Sequence, residues 1–142
     1  MTDINGKWAG TIIYGAGYPD DIMGRELTFE LTIHESDGDI TGSGRDIAGC
    51  GINPSESFIR GFVDGEIISF IKHYKSAGYF DEDGGSLIIE NEPSLDITYN
   101  GEFNADTNQY EGDWDILIDQ VQYGNDTIIY EFTGSWSMRK VS

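Results

Sequence analysis

Period-two alternation of apolar and polar residues recurs along this chain, and no segment at helical spacing competes with it. Between Arg25 and His34, Leu27, Phe29, Leu31 and Ile33 alternate with Glu26, Thr28, Glu30 and Thr32. Successive strand side chains point to opposite faces, so this pattern buries one face and wets the other. It returns in Leu95, Ile97, Tyr99, Gly101 and Phe103, in Tyr110, Gly112, Trp114, Ile116 and Ile118, and in Tyr130, Phe132, Gly134, Trp136 and Met138. Shorter strands are expected from about Gly6 to Tyr14, Ile40 to Asp46, Ser57 to Val63, Glu66 to Tyr74 and Ser86 to Glu90. No window of a dozen residues keeps apolar positions at helical spacing, so any helix is short.

Turn chemistry separates these strands. Asp64-Gly65 reads as a two-residue type I′ hairpin turn, in which both central residues take positive φ. Ser36 to Asp39, Asn104 to Asn108, and Gly124 to Asp126 read as slightly longer hairpin loops. A second regularity is the step Gly-x-Trp at Gly6-Lys7-Trp8, Gly112-Asp113-Trp114 and Gly134-Ser135-Trp136, which together hold all three tryptophans. A glycine inside a strand lets the backbone bend or a neighbouring ring lie across it, as tightly curved barrels require. Antiparallel strands with one apolar face bury it in a sandwich or a barrel, and closure also removes exposed edges. The expected fold is therefore an all-β, antiparallel up-and-down meander β-barrel of about eight to nine strands. At 142 residues with no linker or composition shift, residues 1–142 are expected to form one domain.

Twenty-six acidic residues against eight basic ones give a formal charge of -18. Phosphate backbones and anionic lipid surfaces need clustered Lys and Arg, so neither nucleic acid nor a membrane surface is an expected partner. A basic protein, a cation, or simple solubility fits this charge. Cys50 is the single cysteine, so no internal disulfide forms, and the flanking Gly49 and Gly51 place it in a loop as an incidental thiol. The segment Met1 to Asn5 lacks a basic region and an apolar run, and no stretch has the length of a membrane-spanning helix. The expected location is cytoplasmic.

Candidate chemistry is sparse. Asp81-Glu82-Asp83-Gly84 has alternate carboxylates before a glycine but lacks the downstream glutamate of a calcium loop, and reads as a solvated turn. His34 falls on a polar strand face beside a turn. His73 could face a barrel mouth as a base or haem ligand, but two histidines make a multi-histidine zinc site improbable. Glu111, Asp113, Asp115 and Asp119 alternate along one face and read as a solvated stripe, not a hydrolytic pair. No metal site, catalytic residue or cofactor is expected. Arg60 alternates with Phe58 and Phe62 in one phase, which would turn its guanidinium inward to clamp a carboxylate. In the other phase Ile59, Gly61 and Val63 face inward and Arg60 lies in water.

Gly6-Lys7-Trp8 opening the first strand, a following meander, and Arg139 near its end resemble the calycin superfamily of lipocalins, fatty-acid-binding proteins and avidins. In those barrels the first Gly-x-Trp plugs one end, and in lipocalins and avidin-like barrels a late basic residue packs on the indole. The resemblance thus implies a structural pair of Trp8 and Arg139 through cation–π contact. The avidin type is most similar, through Ile40-Thr41-Gly42, Phe58 to Asp64, Ile68 to Tyr74, Tyr99 to Phe103, Trp114 and Phe132-Thr133-Gly134. Only Trp114 stands where that family places a tryptophan of its biotin wall. Phe70 or Ile71 and Tyr99 occupy the regions of two others, and Tyr14 to Gly17 lacks the polar ureido-binding set.

A calycin-like, non-enzymatic barrel binding a small, partly apolar molecule at one open end is the leading expectation. Tyr14, Phe70, Tyr99 and Trp114 would form its wall, with Arg60 as a polar anchor. The alternative is an acidic interaction module, such as an inhibitor, immunity protein or nucleic-acid mimic, set against a basic partner. A monomer or homodimer is expected, since like copies repel at this charge.

Overall fold

The computed structural model describes residues 3–80, 86–89 and 94–142. Ten strands run in chain order: β1 (Gly6–Tyr14), β2 (Glu26–Ser36), β3 (Asp39–Gly49), β4 (Ser57–Asp64), β5 (Ile67–Tyr74), β6 (Ala77–Phe80), β7 (Ser86–Ile89), β8 (Ile97–Asn104), β9 (Gln109–Tyr123) and β10 (Asp126–Lys140). Eight of them close an antiparallel barrel in the order β1-β10-β9-β8-β5-β4-β3-β2, with β2 returning to β1. The expected up-and-down barrel is the architecture observed. The strand expected at Ser86 does not join it. It pairs with β6, which the alternation had not signalled, as a separate two-stranded ribbon, while β5 pairs directly with β8 through Phe70 opposite Tyr99.

Among the described residues the barrel core is built from the apolar phases of its strands. Trp8, Ile12 and Tyr14 come from β1, Leu27, Phe29, Leu31 and Ile33 from β2, and Ile68 and Phe70 from β5. Tyr99, Tyr110, Trp114, Trp136 and Met138 complete the core from β8 to β10. The Gly-x-Trp steps explain how so many rings fit. On the antiparallel neighbours β9 and β10, Trp114 lies opposite Gly134 and Gly112 lies opposite Trp136. The Trp114 indole lies over Gly134 of the facing strand, while Gly112 lets β8 approach closely. A Cβ at Gly134 would overlap the Trp114 ring, and one at Gly112 would overlap the β8 backbone at Asn100 and Gly101. Gly101 in turn makes room for the Trp136 ring, and Gly10 for the ring of Phe29 opposite it. Trp136 Nε1 then reaches the carbonyls of Asp113 and Asn100 at 3.0 and 3.2 Å.

The two ends differ. Tight turns close one of them. Asp37 and Gly38, with φ of 52° and 90°, form the two-residue turn with both central residues at positive φ. At the next hairpin the register centres the turn on Gly65 and Glu66, with Asp64 opposite Ile67 and positive φ at Gly65 alone. The type I′ geometry expected at Asp64-Gly65 is thus found one hairpin earlier. Gly38→Ala should cost about 1 kcal/mol in urea unfolding, because an L side chain disfavours left-handed backbone. A loss below a few tenths would contradict that.

Trp8 plugs this closed end, buried against Tyr110 at 5.5 Å and donating its indole N–H to Ile4 O at 2.8 Å. The pairing implied with Arg139 is not made. Arg139 lies opposite Ala9 in the outward phase of β10 and is exposed, while Trp8 faces the interior. The connections 15–25 and 50–56 lie at the other end, where β5 also ends at Tyr74 and β8 begins at Ile97. There β9 and β10 also run on past their barrel neighbours as a two-stranded ribbon, since β8 stops pairing at Asp115 and β1 at Gly134. This end is the mouth, and sites gather where long loops ride on a rigid scaffold.

Candidate functional site

Along β5 the inward positions read Ile68, Phe70, Lys72, Tyr74, so the strand's alternation carries a lysine into the core just below the mouth. Lys72 is fully buried, at 0% exposure, and its Nζ has no hydrogen-bond partner. Three rings surround it: Nζ lies 4.3 Å from the centroid of Phe29, 5.2 Å from Tyr74 and 5.3 Å from Tyr99. Burial pushes its pKa down from 10.5 to about 8, and the Asp46 carboxylate opposes that only in part. The aromatic faces favour the ammonium, but loss of water penalises it more.

Asp46 reaches the same region from β3. A bulge follows it at once: Phe29 pairs with Asp46 while Thr28 pairs with Ala48, leaving Ile47 without an opposite residue. Bulges re-aim side chains and release a strand from its ladder. Here Asp46 points in and the chain then leaves for the loop over the mouth. Its carboxylate accepts from Tyr74 Oη at 2.6 Å and from the Asn53 backbone N–H at 2.9 Å. Burial raises its pKa, against the lowering effects of Lys72 and these two bonds. Asn53 closes the rim by donating its side-chain amide to Ser76 O at 2.8 Å.

Two further buried polar atoms have no hydrogen-bond partner, Tyr99 Oη and Ser57 Oγ. Tyr99 stacks on Phe70 at 4.7 Å, and Ser57 stands opposite Tyr74 at the start of β4. Burial raises the Tyr99 pKa, so the phenol stays protonated and can donate. Across the mouth, Tyr14 donates to Cys50 O at 2.8 Å and meets the Trp114 ring edge-on at 6.0 Å. Tyr18, from the loop after β1, stacks on Phe132 at 4.4 Å and covers that side.

Of the residues named from sequence, Tyr14, Phe70, Tyr99 and Trp114 all face the interior and meet at or below the mouth. Arg60 does not. Ile59 takes the inward phase of β4, so Arg60 is exposed on the outer wall and cannot anchor an interior ligand. His73 also points outward, its ring 5.6 Å from that of Phe58, and His34 is exposed as expected. Glu111, Asp113 and Asp115 occupy outward positions, and the side chain of Asp119 lies outside the described set. The acidic turn Asp81 to Gly84 lies outside the described residues; among the described ones no group of acidic, histidine or cysteine side chains could hold a metal. A shallow groove of about 630 Å³ runs along β9, β10 and β1, with Asp113, Asp115 and Glu131 along it.

Lys72, Asp46, Tyr74 and Ser57 had not been singled out. The signal was present: continuing the Ile68-Phe70 phase by two residues places Lys72 inside. No family model matches the chain, and neither a curated protein nor a solved structure matches it.

Proposed function

We propose that this barrel binds a small, largely apolar molecule in its mouth, over the rings of Phe29, Phe70, Tyr99 and Trp114, with the ligand's polar group turned toward Lys72. The observation that carries this is that three buried polar atoms lack hydrogen-bond partners, Lys72 Nζ, Tyr99 Oη and Ser57 Oγ, with Lys72 Nζ 5.3 Å from the centroid of the Tyr99 ring. Leaving such groups unsatisfied costs about 1–3 kcal/mol each, a cost that a bound acceptor removes. The role is the non-enzymatic one of calycin-like barrels. The outward alternation of Glu26, Thr28, Glu30 and Thr32 on β2 suits water and is the reverse of a lipid-facing barrel.

Native mass spectrometry of the purified protein, followed by denaturation and analysis of released small molecules, tests this directly. A stoichiometric compound, or a metabolite-library hit that raises the melting temperature, is expected. Tyr99→Phe should then weaken that ligand about fivefold while leaving the apo protein as stable or more so, because only an unsatisfied hydroxyl is lost. Arg60→Ala should change neither. A clean apo mass with no thermal shift would remove the proposal.

The outer groove favours a second reading. Its three carboxylates, on a chain of charge -18 whose described residues hold one ion pair (Arg45 to Glu30, 3.8 Å, both exposed), suit a basic protein surface. Salt-sensitive association with a cationic protein, lost in an Asp113→Asn, Asp115→Asn double variant, would support it.

A further inference from the structure

We propose that the ligand is a neutral carbonyl compound, an aldehyde or ketone on an apolar body, and that Lys72 captures it reversibly as an imine. This deepens the binding reading above and rests on it. The geometry narrows the ligand's polar group in two ways. An anion would enter beside the Asp46 carboxylate, already held at the rim by Tyr74 and Asn53, in a chain of charge -18. A neutral acceptor meets no such repulsion. Second, Nζ is enclosed by Phe29, Tyr74 and Tyr99 with no hydrogen bond to hold its lone pair or its protons. A lysine desolvated among apolar groups is the form of this side chain that attacks carbonyls.

The step balances without any further reactant. The lone pair of the neutral amine adds to the carbonyl carbon, and the carbonyl π pair passes to oxygen, which takes a proton. Nζ then loses a proton, the carbinolamine hydroxyl gains one and leaves as water, the C=N bond forms from the nitrogen lone pair, and the second Nζ proton departs to leave the neutral imine. One carbonyl and one amine give one imine and one water. Proton donors and acceptors stand around the site: Asp46 from β3 with the Tyr74 phenol on it, Tyr99 from β8 and Tyr14 from β1, while β2 supplies only the Phe29 ring. With a pKa of about 8, Lys72 holds about two-hundredfold more neutral amine near pH 7.5 than an ordinary lysine does.

The full chain is incubated with benzaldehyde and cyanoborohydride near pH 7.5, and the reduced adduct is mapped by peptide mass spectrometry. Lys7, Lys75 and Lys140 serve as internal references. Benzyl alcohol and benzoate, which cannot form imines, are titrated in parallel by tryptophan fluorescence. The expected result is labelling of Lys72 at least about tenfold over each other lysine, as its neutral fraction predicts. Label confined to Lys7, Lys75, Lys140 or the N-terminus overturns the proposal. If benzyl alcohol or benzoate binds saturably while Lys72 stays unlabelled, imine capture fails and the binding reading stands. If nothing binds and nothing is trapped, both fail. Lys72→Arg and Lys72→Met should abolish the site-specific label; the wild-type map decides the matter even if neither variant folds.

Discussion

Trp136→Ala is expected to lower the unfolding free energy by about 4 kcal/mol, within the range for truncating a large buried aromatic. The indole is 3% exposed and sits among Phe70 and Tyr99 at 5.5 and 5.4 Å, in edge-to-face contacts that add to its burial. Its N–H also bonds two strand carbonyls, at Asp113 and Asn100. Truncation therefore leaves a void at the barrel centre that the curved wall cannot close. The complementary change, Gly112→Ala, should cost about 3 kcal/mol by the opposite route, since its methyl would meet the β8 backbone, which cannot move aside as a side chain could. Urea unfolding followed by far-ultraviolet circular dichroism measures both. Should either variant lose less than about 1 kcal/mol, the close packing of Gly112 and Trp136 against β8 is not what holds the barrel closed.

The second large effect is a pH dependence. Between pH 8 and pH 10.5 the unfolded chain keeps a proton on Lys72 that the folded chain has released, because burial lowers the folded pKa to about 8. The unfolded state then binds more protons, and stability rises with pH across that window. Below pH 8 both states are protonated and the penalty of burying the ammonium is present in full. Relative to Lys72→Met, the wild-type chain should gain about 3 kcal/mol over this interval, at up to about 1.4 kcal/mol per pH unit. The buried tyrosines, Tyr14, Tyr18, Tyr74 and Tyr99, have raised pKa values and act in the other direction above pH 10. They are present in both chains, so the difference between the two isolates the lysine. Parallel stability curves for wild type and Lys72→Met would show that Lys72 is not desolvated in the folded state.

Period-two alternation alone carried the strands of the barrel, because strand side chains alternate whatever lies beyond them. It put Tyr99 and Trp114 on inward faces, where the structure has them, while Tyr14 and Phe70 are named as wall residues without it. The closed architecture followed from that pattern and the need to hide edges. What alternation could not settle is phase where both faces are mixed, as at Arg60, flanked by aromatics in one phase and aliphatics in the other. Burial of Ile59 decided it, and that depends on which face the barrel's curvature turned inward.

The polar site shows the same division. Lys72 stood in register with Ile68 and Phe70, so its inward direction was legible along β5. That its amine would lack a hydrogen-bond partner was not. It depends on Phe29 of β2 and Asp46 of β3, facing each other across one hairpin just ahead of a bulge, and on Tyr99 of β8, far along the chain, all brought around Lys72 of β5 by the closed barrel. The exchange of Gly112 and Trp136 with Trp114 and Gly134 likewise needed the β9–β10 register. Local pattern determined which face each residue presents, since that is a property of one strand. Which residues share the enclosed space, and so which charges lose water and which rings meet, is a property of the register between strands, and only the closed barrel decided it.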